Sequence, residues 1–232
     1  MDKAKFLFAL QILLPPLAVI CIALQGTILW VTLAILIFFL MRCIGYTLTY
    51  HRVITHQTHK LRPVVEWIGL TLGFYSSMST PLEAASTHIN HHKYMDTEKD
   101  PHSPKYIGWK AAFPLFWIDK DKGDLRTILR LSKNPRVMFF QKYYWILVFL
   151  PLLLLLVSFK AFIFIWLVPT AASLVTLSWS TFNHDETGPI NRGIIFGILT
   201  GGEHHHKWHH NHATNTSGEG FVDTILNFME KI

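Results

Sequence analysis

Four stretches of the chain are long, apolar and almost free of charge, and polar segments rich in histidine separate them. The stretches comprise residues 6–24, 27–48, 143–159 and 161–182. A helix of roughly 20 apolar residues crosses the ~30 Å hydrocarbon layer of a bilayer. The pattern predicts an all-α integral membrane protein with four transmembrane helices in two hairpins. Residues 50–142 and 183–232 would form a helical cap, and we expect a single domain over residues 1–232.

Two stretches have alternative interpretations. Lys3 and Lys5 precede the first apolar run, as in a signal peptide. The run is long and a second one follows directly after Gln25, which favours a membrane span. Residues 64–80 are mildly apolar but contain Glu66. We interpret them as an interfacial helix, because a fifth span would place the first two histidine clusters on opposite membrane faces.

The basic residues lie mainly on one side of the predicted membrane. The chain has 21 Lys and Arg against 15 Asp and Glu, and its net charge is +6. Most of the basic residues fall in segment 50–142, whereas only Lys160 lies in a connection on the opposite side. The positive-inside rule then predicts that the cap and both termini are cytoplasmic, at a bacterial inner membrane or an endoplasmic reticulum. We expect the positively charged residues to interact with anionic lipids of the bilayer. Nucleic acid is not an expected partner, because the sequence contains no recognisable nucleic-acid-binding motif.

Nine of the 14 histidines lie in three clusters and one isolated position. The clusters read HRVITH, HINHH and HKWHH, and the isolated histidine is His184 in FNHD. On a helix the i, i+3 and i+4 positions of HINHH and HKWHH share one face and are expected to point into a common site. His51 and His56 are five residues apart, about 140° around an α-helix. They would serve two neighbouring ions, or the helix would end there.

The number of imidazoles predicts the type of metal site. A structural zinc ion takes four ligands and a catalytic one usually three, so nine nitrogens suit two ions. Non-haem iron with open coordination positions activates O₂. The HExxH, Gly-rich phosphate-loop and G-x-S-x-G motifs are absent from the sequence. Cys21 and Cys43 lie within predicted spans, so neither a disulfide framework nor thiolate ligation is expected.

The order HxxxxH, HxxHH, HxxHH on four spans resembles the membrane fatty-acid desaturases, especially the branch with acyl-CoA and bacterial acyl-lipid Δ9 enzymes. The segments HHKYMDTEKDPHSP (residues 91–104) and GEHHHKWHH (residues 202–210) extend the similarity. His184 lies where that family has a further ligand histidine. The resemblance implies a di-iron centre whose ligands are His51, His56, His88, His91, His92, His184, His206, His209 and His210.

The resemblance also implies the reaction and its partners. Such enzymes use O₂ and two external electrons to insert a cis double bond into a fatty-acyl chain. No cytochrome domain is recognisable, so we expect a separate electron donor such as a ferredoxin or a b-type cytochrome. Residues expected to support the ligands are Asp96, Asp100, Ser180, Asn183 and Glu203. Candidate residues for a substrate channel are Trp67, Leu70, Phe74, Tyr75 and Trp179.

The chain departs from the family pattern at two places. Residues 84–87 read AAST, where the acyl-CoA enzymes have W-x-R-D, and this favours an acyl-lipid or acyl-carrier substrate over acyl-CoA. Ser180 stands where the family tends to have an Asn that supports a metal-bound water; Asn183, beside His184, is a candidate substitute.

Two other functions remain open at this stage. A hydroxylase, ketolase or alkane monooxygenase of the same superfamily would use the same ligands. A membrane metal transporter or sensor would require ionisable residues inside the spans. The predicted spans have almost none, apart from Arg42 near one end.

Overall fold

The fold was analysed in a computed structural model, which describes residues 2–116 and 123–232. Residues 117–122 of the predicted cap lie outside the described residues. The α-helices are α1 (Lys3–Gln25), α2 (Ile28–Phe39), α3 (Pro63–Ser77), α4 (Pro81–Tyr94), α5 (Pro104–Ile107), α6 (Leu125–Leu131), α7 (Pro135–Lys142), α8 (Tyr144–Phe149), α9 (Phe159–Ala161), α10 (Val168–Ser180), α11 (Ile194–Thr200), α12 (His206–Asn211) and α13 (Phe221–Lys231).

Helical segments of other types complete the secondary structure. Two π-helical segments, Leu40–Thr55 and Phe162–Leu167, continue α2 and α9. The 3₁₀-helical segments are Gly108–Ala112, Pro114–Phe116, Leu150–Leu156 and Glu203–His205. A two-residue antiparallel hairpin pairs β1 (His184–Asp185) with β2 (Gly188–Pro189), and His184 lies opposite Pro189.

Three helices in the described ranges are long and apolar enough to cross a membrane: Lys3–Gln25, Ile28–Thr55 and Phe159–Ser180. They carry many exposed large apolar side chains; Ile28, for example, is 90% exposed. Such a surface suits lipid rather than water. The mostly helical, membrane-protein class predicted from the sequence is therefore supported.

The predicted third span has a different form. Pro135–Lys142 and Tyr144–Leu156 together are apolar enough to be a span, but the two parts meet at a bend of 70°. If these two parts together form one broken span, the described residues contain four candidate spans instead of three. The second part changes from α8 into a 3₁₀ segment at Leu150, next to Pro151, which lacks the N–H that an α-helix needs.

The predicted second span also differs, because its helix continues past residue 48 to Thr55 as a π-helix. Three glycines let α3 pack closely against this segment. A Cβ on Gly45 would overlap the backbone of Gly73, one on Gly69 would overlap Thr49, and one on Gly73 would overlap the ring of Tyr50. α3 covers most of the stretch that the sequence predicted as an interfacial helix.

Local signals explain where α4 begins. α3 ends at Met78, whose φ of 52° is left-handed, and the Tyr144 hydroxyl donates a hydrogen bond to the Met78 carbonyl across 3.0 Å. Thr80 then caps α4: its hydroxyl accepts from the Glu83 N–H, and the Glu83 carboxylate accepts from the Thr80 N–H. This capping box fixes the direction of the helix that carries HINHH.

Candidate metal centre

The structure brings all nine predicted ligand histidines together in two groups. Within the described residues, the ligand atoms of each group lie within 4.8 Å of one another. The first group contains five histidines and the second contains four. The five are His51, His56, His88, His92 and His209, and the four are His91, His184, His206 and His210.

The Nε2 atoms of these rings converge. His51 and His209 approach to 2.9 Å, and His88 and His92 also to 2.9 Å. In the second group, the His206 Nε2 lies 2.9 Å from that of His184 and 3.1 Å from that of His210. Two nitrogens bound about 2.1 Å from one ion at right angles would lie about 3 Å apart. The spacing is thus that of neighbouring ligands on a metal ion.

Each HxxHH cluster is divided between the two groups, and this corrects the expectation that its three histidines point into one common site. In α4, His88 and His92 belong to the five-histidine group, whereas His91 belongs to the other. In α12, His206 and His210 belong to the four-histidine group, whereas His209 belongs to the five-histidine group. Histidines four residues apart are stacked on the helix surface, so they face one ion, and the residue between them is turned toward the second.

The π-helix decides the position of the first cluster. The backbone N–H of His56 donates to the His51 carbonyl across 3.3 Å, an i→i+5 bond. This wider turn brings side chains five residues apart onto the same face, whereas an α-helix separates them by about 140°. His51 and His56 consequently belong to one group, at the residue where the helix ends. With α-helical spacing the two rings would point in different directions, and the sequence alone does not reveal the π-helical turn.

Carboxylates orient several of the rings from behind. The Nδ1 of His51 lies 3.0 Å from Glu203, that of His91 lies 2.9 Å from Asp100, and that of His184 lies 2.9 Å from Asp96. A ligating imidazole usually directs its second nitrogen to such an acceptor, which fixes the tautomer and the ring orientation. These are three of the supporting residues expected from the sequence.

Sequence reasoning missed a fourth carboxylate, Glu219. Its Oε1 lies 3.5 Å from the Nδ1 of His209, and its Oε2 accepts a 2.6 Å hydrogen bond from Arg52. Arg52 and Glu219 are almost completely buried, with side chains 1% and 0% exposed. Glu219 lies between two glycines, which resembles a solvated loop. The available signal was Arg52, a charged residue inside the HRVITH cluster.

The surroundings favour neutral imidazoles. Burial, together with nearby His91, lowers the pKa of His92 to about 2. Burial also lowers the pKa values of His88, His206 and His209 well below the ordinary value for histidine. Neutral imidazole is the form that binds metal. His102, whose ring stacks on His91 at 4.3 Å between centroids, is similarly affected, and burial lowers its pKa to about 3.

Ser180 and Asn183 have other contacts. The Ser180 hydroxyl donates to the Thr176 carbonyl on its own helix and accepts from Arg42 across 3.4 Å. The Asn183 amide donates to the backbone carbonyl of Glu203 across 3.1 Å. Asn183 thus binds the backbone of the segment that carries Glu203. Ser180 lies in the wall of a cavity beside the histidines.

A cavity of about 390 Å³ adjoins both histidine groups. His51 and His88 of the first group and His91, His184 and His206 of the second contribute to its wall. Most of the surface that faces the cavity is apolar, although hydroxyl, amide and carboxylate side chains also contribute to the wall. Apolar wall residues come from α1, the π-helix, α4, α6 and α10; they include Leu7, Tyr46, Leu82, Ala84, Ile128 and Leu177. Such a space suits an alkyl chain lying beside the histidines.

The predicted channel residues lie outside the wall of this cavity, and their role in a substrate channel stays a prediction. Among the described residues that line the cavity, none is Trp67, Leu70, Phe74, Tyr75 or Trp179. Trp67 packs on Phe139, with ring centroids 5.1 Å apart, and Phe74 on Phe140, with centroids 5.7 Å apart. The Tyr75 hydroxyl donates to the Leu147 carbonyl, and Trp179 is 47% exposed. The α3 aromatics fill the contact with α7 and α8 instead of lining the cavity.

Comparisons with known proteins show which family the sequence resembles. The family model described as fatty acid desaturase matches residues 26–215. An acyl-CoA 5-desaturase of Anemone leveillei is 30% identical over 220 residues, which cover 87% of this chain and 67% of the relative. An icosanoyl-CoA 5-desaturase of Limnanthes douglasii is 35% identical over 50% of this chain and 33% of the relative.

A bacterial relative is named for a lipid substrate. The sn-1 stearoyl-lipid 9-desaturase of Anabaena variabilis is 30% identical over 59% of this chain and 51% of the relative. The matches thus span from one third to two thirds of these relatives' lengths. The resemblance predicted from the histidine motifs is confirmed, and the chain belongs to the fatty acid desaturase family of enzymes.

Proposed function

We propose that this protein inserts a cis double bond into a fatty-acyl chain in an O₂-dependent reaction, with two iron ions held by the nine histidines. The observation that carries the proposal is the convergence of nine imidazoles in two groups beside one largely apolar cavity. Membership of the fatty acid desaturase family supports it independently. In the balanced reaction, two adjacent methylenes lose one hydrogen each, and O₂ takes up these two hydrogens together with two external electrons and two protons to become two waters.

The residues present fit a pair of metal ions. Each group offers imidazole nitrogens only, a donor set that suits iron, zinc, copper or nickel. The buried Nε2 of His56 has no hydrogen-bond partner in the described part of the chain, yet it lies within the five-histidine group. Iron is the proposed metal because zinc is redox-inactive and the reaction reduces O₂. Bound irons would supply the O₂ activation that C–H cleavage requires.

The protein's own contribution is to orient the ligands and to exclude water. Asp96, Asp100 and Glu203 each accept a hydrogen bond from the Nδ1–H of one ligand histidine and leave Nε2 for the metal. His51 and His91 are both below 10% exposed, so bulk water is kept from the rings. The cavity wall would hold a stretch of acyl chain against the histidine face. These contacts determine which carbons react.

We infer that the substrate is an acyl chain on a lipid or another membrane-associated carrier. Ala84, Ser86 and Thr87 line the cavity where acyl-CoA enzymes carry Trp, Arg and Asp, so no guanidinium from this segment meets a CoA phosphate. The relatives are named for both acyl-CoA and acyl-lipid substrates. The proposal includes four spans with the histidines on the cytoplasmic side and a separate electron donor such as a ferredoxin or a b-type cytochrome.

Expression in a desaturase-deficient host, with mass spectrometry of total fatty acids, tests this function. We expect a new mono-unsaturated fatty acid from the wild-type chain and none from His91→Ala. The matched control is His212→Ala, because His212 is an exposed histidine just past α12 that belongs to neither group. A hydroxylated product without an alkene would contradict desaturation and indicate the monooxygenase alternative.

A further inference from the structure

A second pocket, of about 270 Å³, lies next to the cavity beside the histidines. Its wall includes Lys3, Lys142, Tyr143 and Tyr144. Two further wall residues, Glu83 and Gln141, also line the larger cavity. The two spaces are therefore neighbours that share one wall.

Two helices, α1 and α4, contribute residues to both the second pocket and the cavity beside the histidines. On α1, Lys3 faces the second pocket, while Leu7 and Gln11, at four and eight residues further, line the first cavity. Residues spaced by four share a helix face, and eight residues extend about 12 Å. On α4, Glu83 is shared by both spaces, and His88 follows five residues later. Along α1 the second pocket is thus about two helical turns from residues of the larger cavity, and along α4 the shared Glu83 is less than two turns from His88.

The second pocket combines cationic and aromatic groups. The Lys3 ammonium forms an ion pair with Glu83 and lies 3.7 Å from the centre of the Tyr144 ring. The Lys142 ammonium lies 5.1 Å from the centre of the Tyr143 ring. Two cations against one carboxylate leave one net positive charge. Lysine beside tyrosine at the end of an apolar helix is typical of the headgroup level of a membrane.

We propose that the second pocket binds a phosphate group on the acyl carrier, while the acyl chain passes between Glu83 and Gln141 into the cavity. The proposal rests on the proposed function and names its substrate class. Lys142 and Lys3 supply the positive charge. Glu83 lowers the affinity for phosphate in two ways: its carboxylate repels the anion, and its ion pair occupies Lys3. Together with Gln141 it forms the polar constriction between the two spaces that the acyl chain passes.

The charges of the pocket predict that two substitutions change the affinity for phosphate in opposite directions. Lys142→Gln removes a cation that faces the pocket and weakens binding of a phosphate-bearing amphiphile. Glu83→Gln removes the competing carboxylate and strengthens it. Glutamine preserves the capping box of α4, so this variant retains the helix start. A purely structural role for the Lys3–Glu83 pair predicts the reverse for Glu83→Gln, because breaking that pair would loosen the pocket.

Thermal denaturation of the purified full-length protein in detergent tests the proposal through ligand stabilisation. The probes are distearoylphosphatidylglycerol, stearoyl-CoA and methyl stearate, and the last carries the same acyl chain without phosphate. We expect the phosphate-bearing probes to raise the melting temperature at lower concentration than methyl stearate. Stabilisation by phosphatidylglycerol alone assigns the pocket to a lipid headgroup, and stabilisation by stearoyl-CoA alone assigns it to a soluble carrier.

The expected shift in half-saturating concentration is about three- to tenfold, upward for Lys142→Gln and downward for Glu83→Gln. Lys133→Gln is the matched control, because Lys133 is an exposed lysine of the same region outside both spaces. Equal responses to methyl stearate and the phosphate probes would overturn the proposal, as would a wild-type response of Lys142→Gln. Since binding is measured without turnover, a normal binding result with no double bond in the expression assay would refute only the proposed function.

Discussion

The backbone N–H of His56 bonds to the carbonyl oxygen of His51 in a turn one residue wider than an α-helical turn. Their rings lie 5.2 Å apart between centroids, and both belong to the five-histidine group. π-Helical turns are rare and occur frequently at functional sites. The first histidine pair thus depends on a backbone geometry that the packing against α3 must hold.

Substitution of Gly73 by alanine should disturb this geometry. An added Cβ would overlap the ring of Tyr50, which lies in the π-helix one residue before His51. Overpacking of this kind costs roughly 1–3 kcal/mol. We expect Gly73→Ala to lower the melting temperature of the purified protein and to reduce its metal content.

Gly193→Ala is the control for Gly73→Ala. No described atom lies within 4 Å of the position that a Cβ would take at Gly193, and this residue has an ordinary negative φ of −71°. Its melting temperature and metal content should match those of the wild type. Wild-type values for Gly73→Ala would show that the close approach of α3 does not maintain the π-helix.

The hydrogen bond between Asp96 and His184 should strengthen metal binding in the four-histidine group. Asp96→Asn removes the anionic acceptor, and the loss of such a partner typically weakens metal affinity about 10–100-fold. Asparagine tolerates the left-handed backbone of this position, where φ is 53°, so strain is not introduced. We expect this variant to lose one of its two ions at a lower chelator concentration than the wild type.

Glu98→Gln is the matched control for Asp96→Asn. Glu98 is exposed and lies two residues away, so its substitution removes the same charge from the same turn. Chelator titration of this variant should follow the wild-type curve. Identical curves for Asp96→Asn and Glu98→Gln would mean that the carboxylate behind His184 does not support the metal.

The buried ion pair of Arg52 and Glu219 should stabilise the fold. Removing one partner of a buried pair leaves an uncompensated charge and costs about 3–5 kcal/mol. We expect Glu219→Ala to lower the melting temperature strongly. Glu230→Ala, in the exposed part of α13, should change it little. A small effect of Glu219→Ala would show that the guanidinium finds other acceptors.

The sequence located the histidines well because their chemistry is local. HINHH and HKWHH lie on helices, as predicted, and their spacing alone shows that the rings share a helix face. Which histidines of the other clusters complete each group depends on where α4 and α12 lie relative to each other. That placement arises from tertiary packing, which spacing within one helix does not contain.

Other features could not be predicted for different physical reasons. The π-helix packs closely against Gly69 and Gly73 of α3, and this tertiary contact cannot be seen in the HRVITH motif itself. Glu219 is separated from Arg52 by 167 residues, so no local pattern joins them. The aromatic side chains of α3 suit either a substrate wall or a packed contact between helices. They pack against Phe139 and Phe140, and this contact depends on the position of α7 in the fold.

Iron content per chain, measured by elemental mass spectrometry of the purified protein, distinguishes two separate metal sites from a single one. The two-group arrangement predicts two irons in the wild type and in His212→Ala. It predicts one iron in His56→Ala, which disrupts the five-histidine group, and one in His210→Ala, which disrupts the other. A single metal ion in the wild type, or two irons in both ligand variants, would contradict a separate iron site in each histidine group.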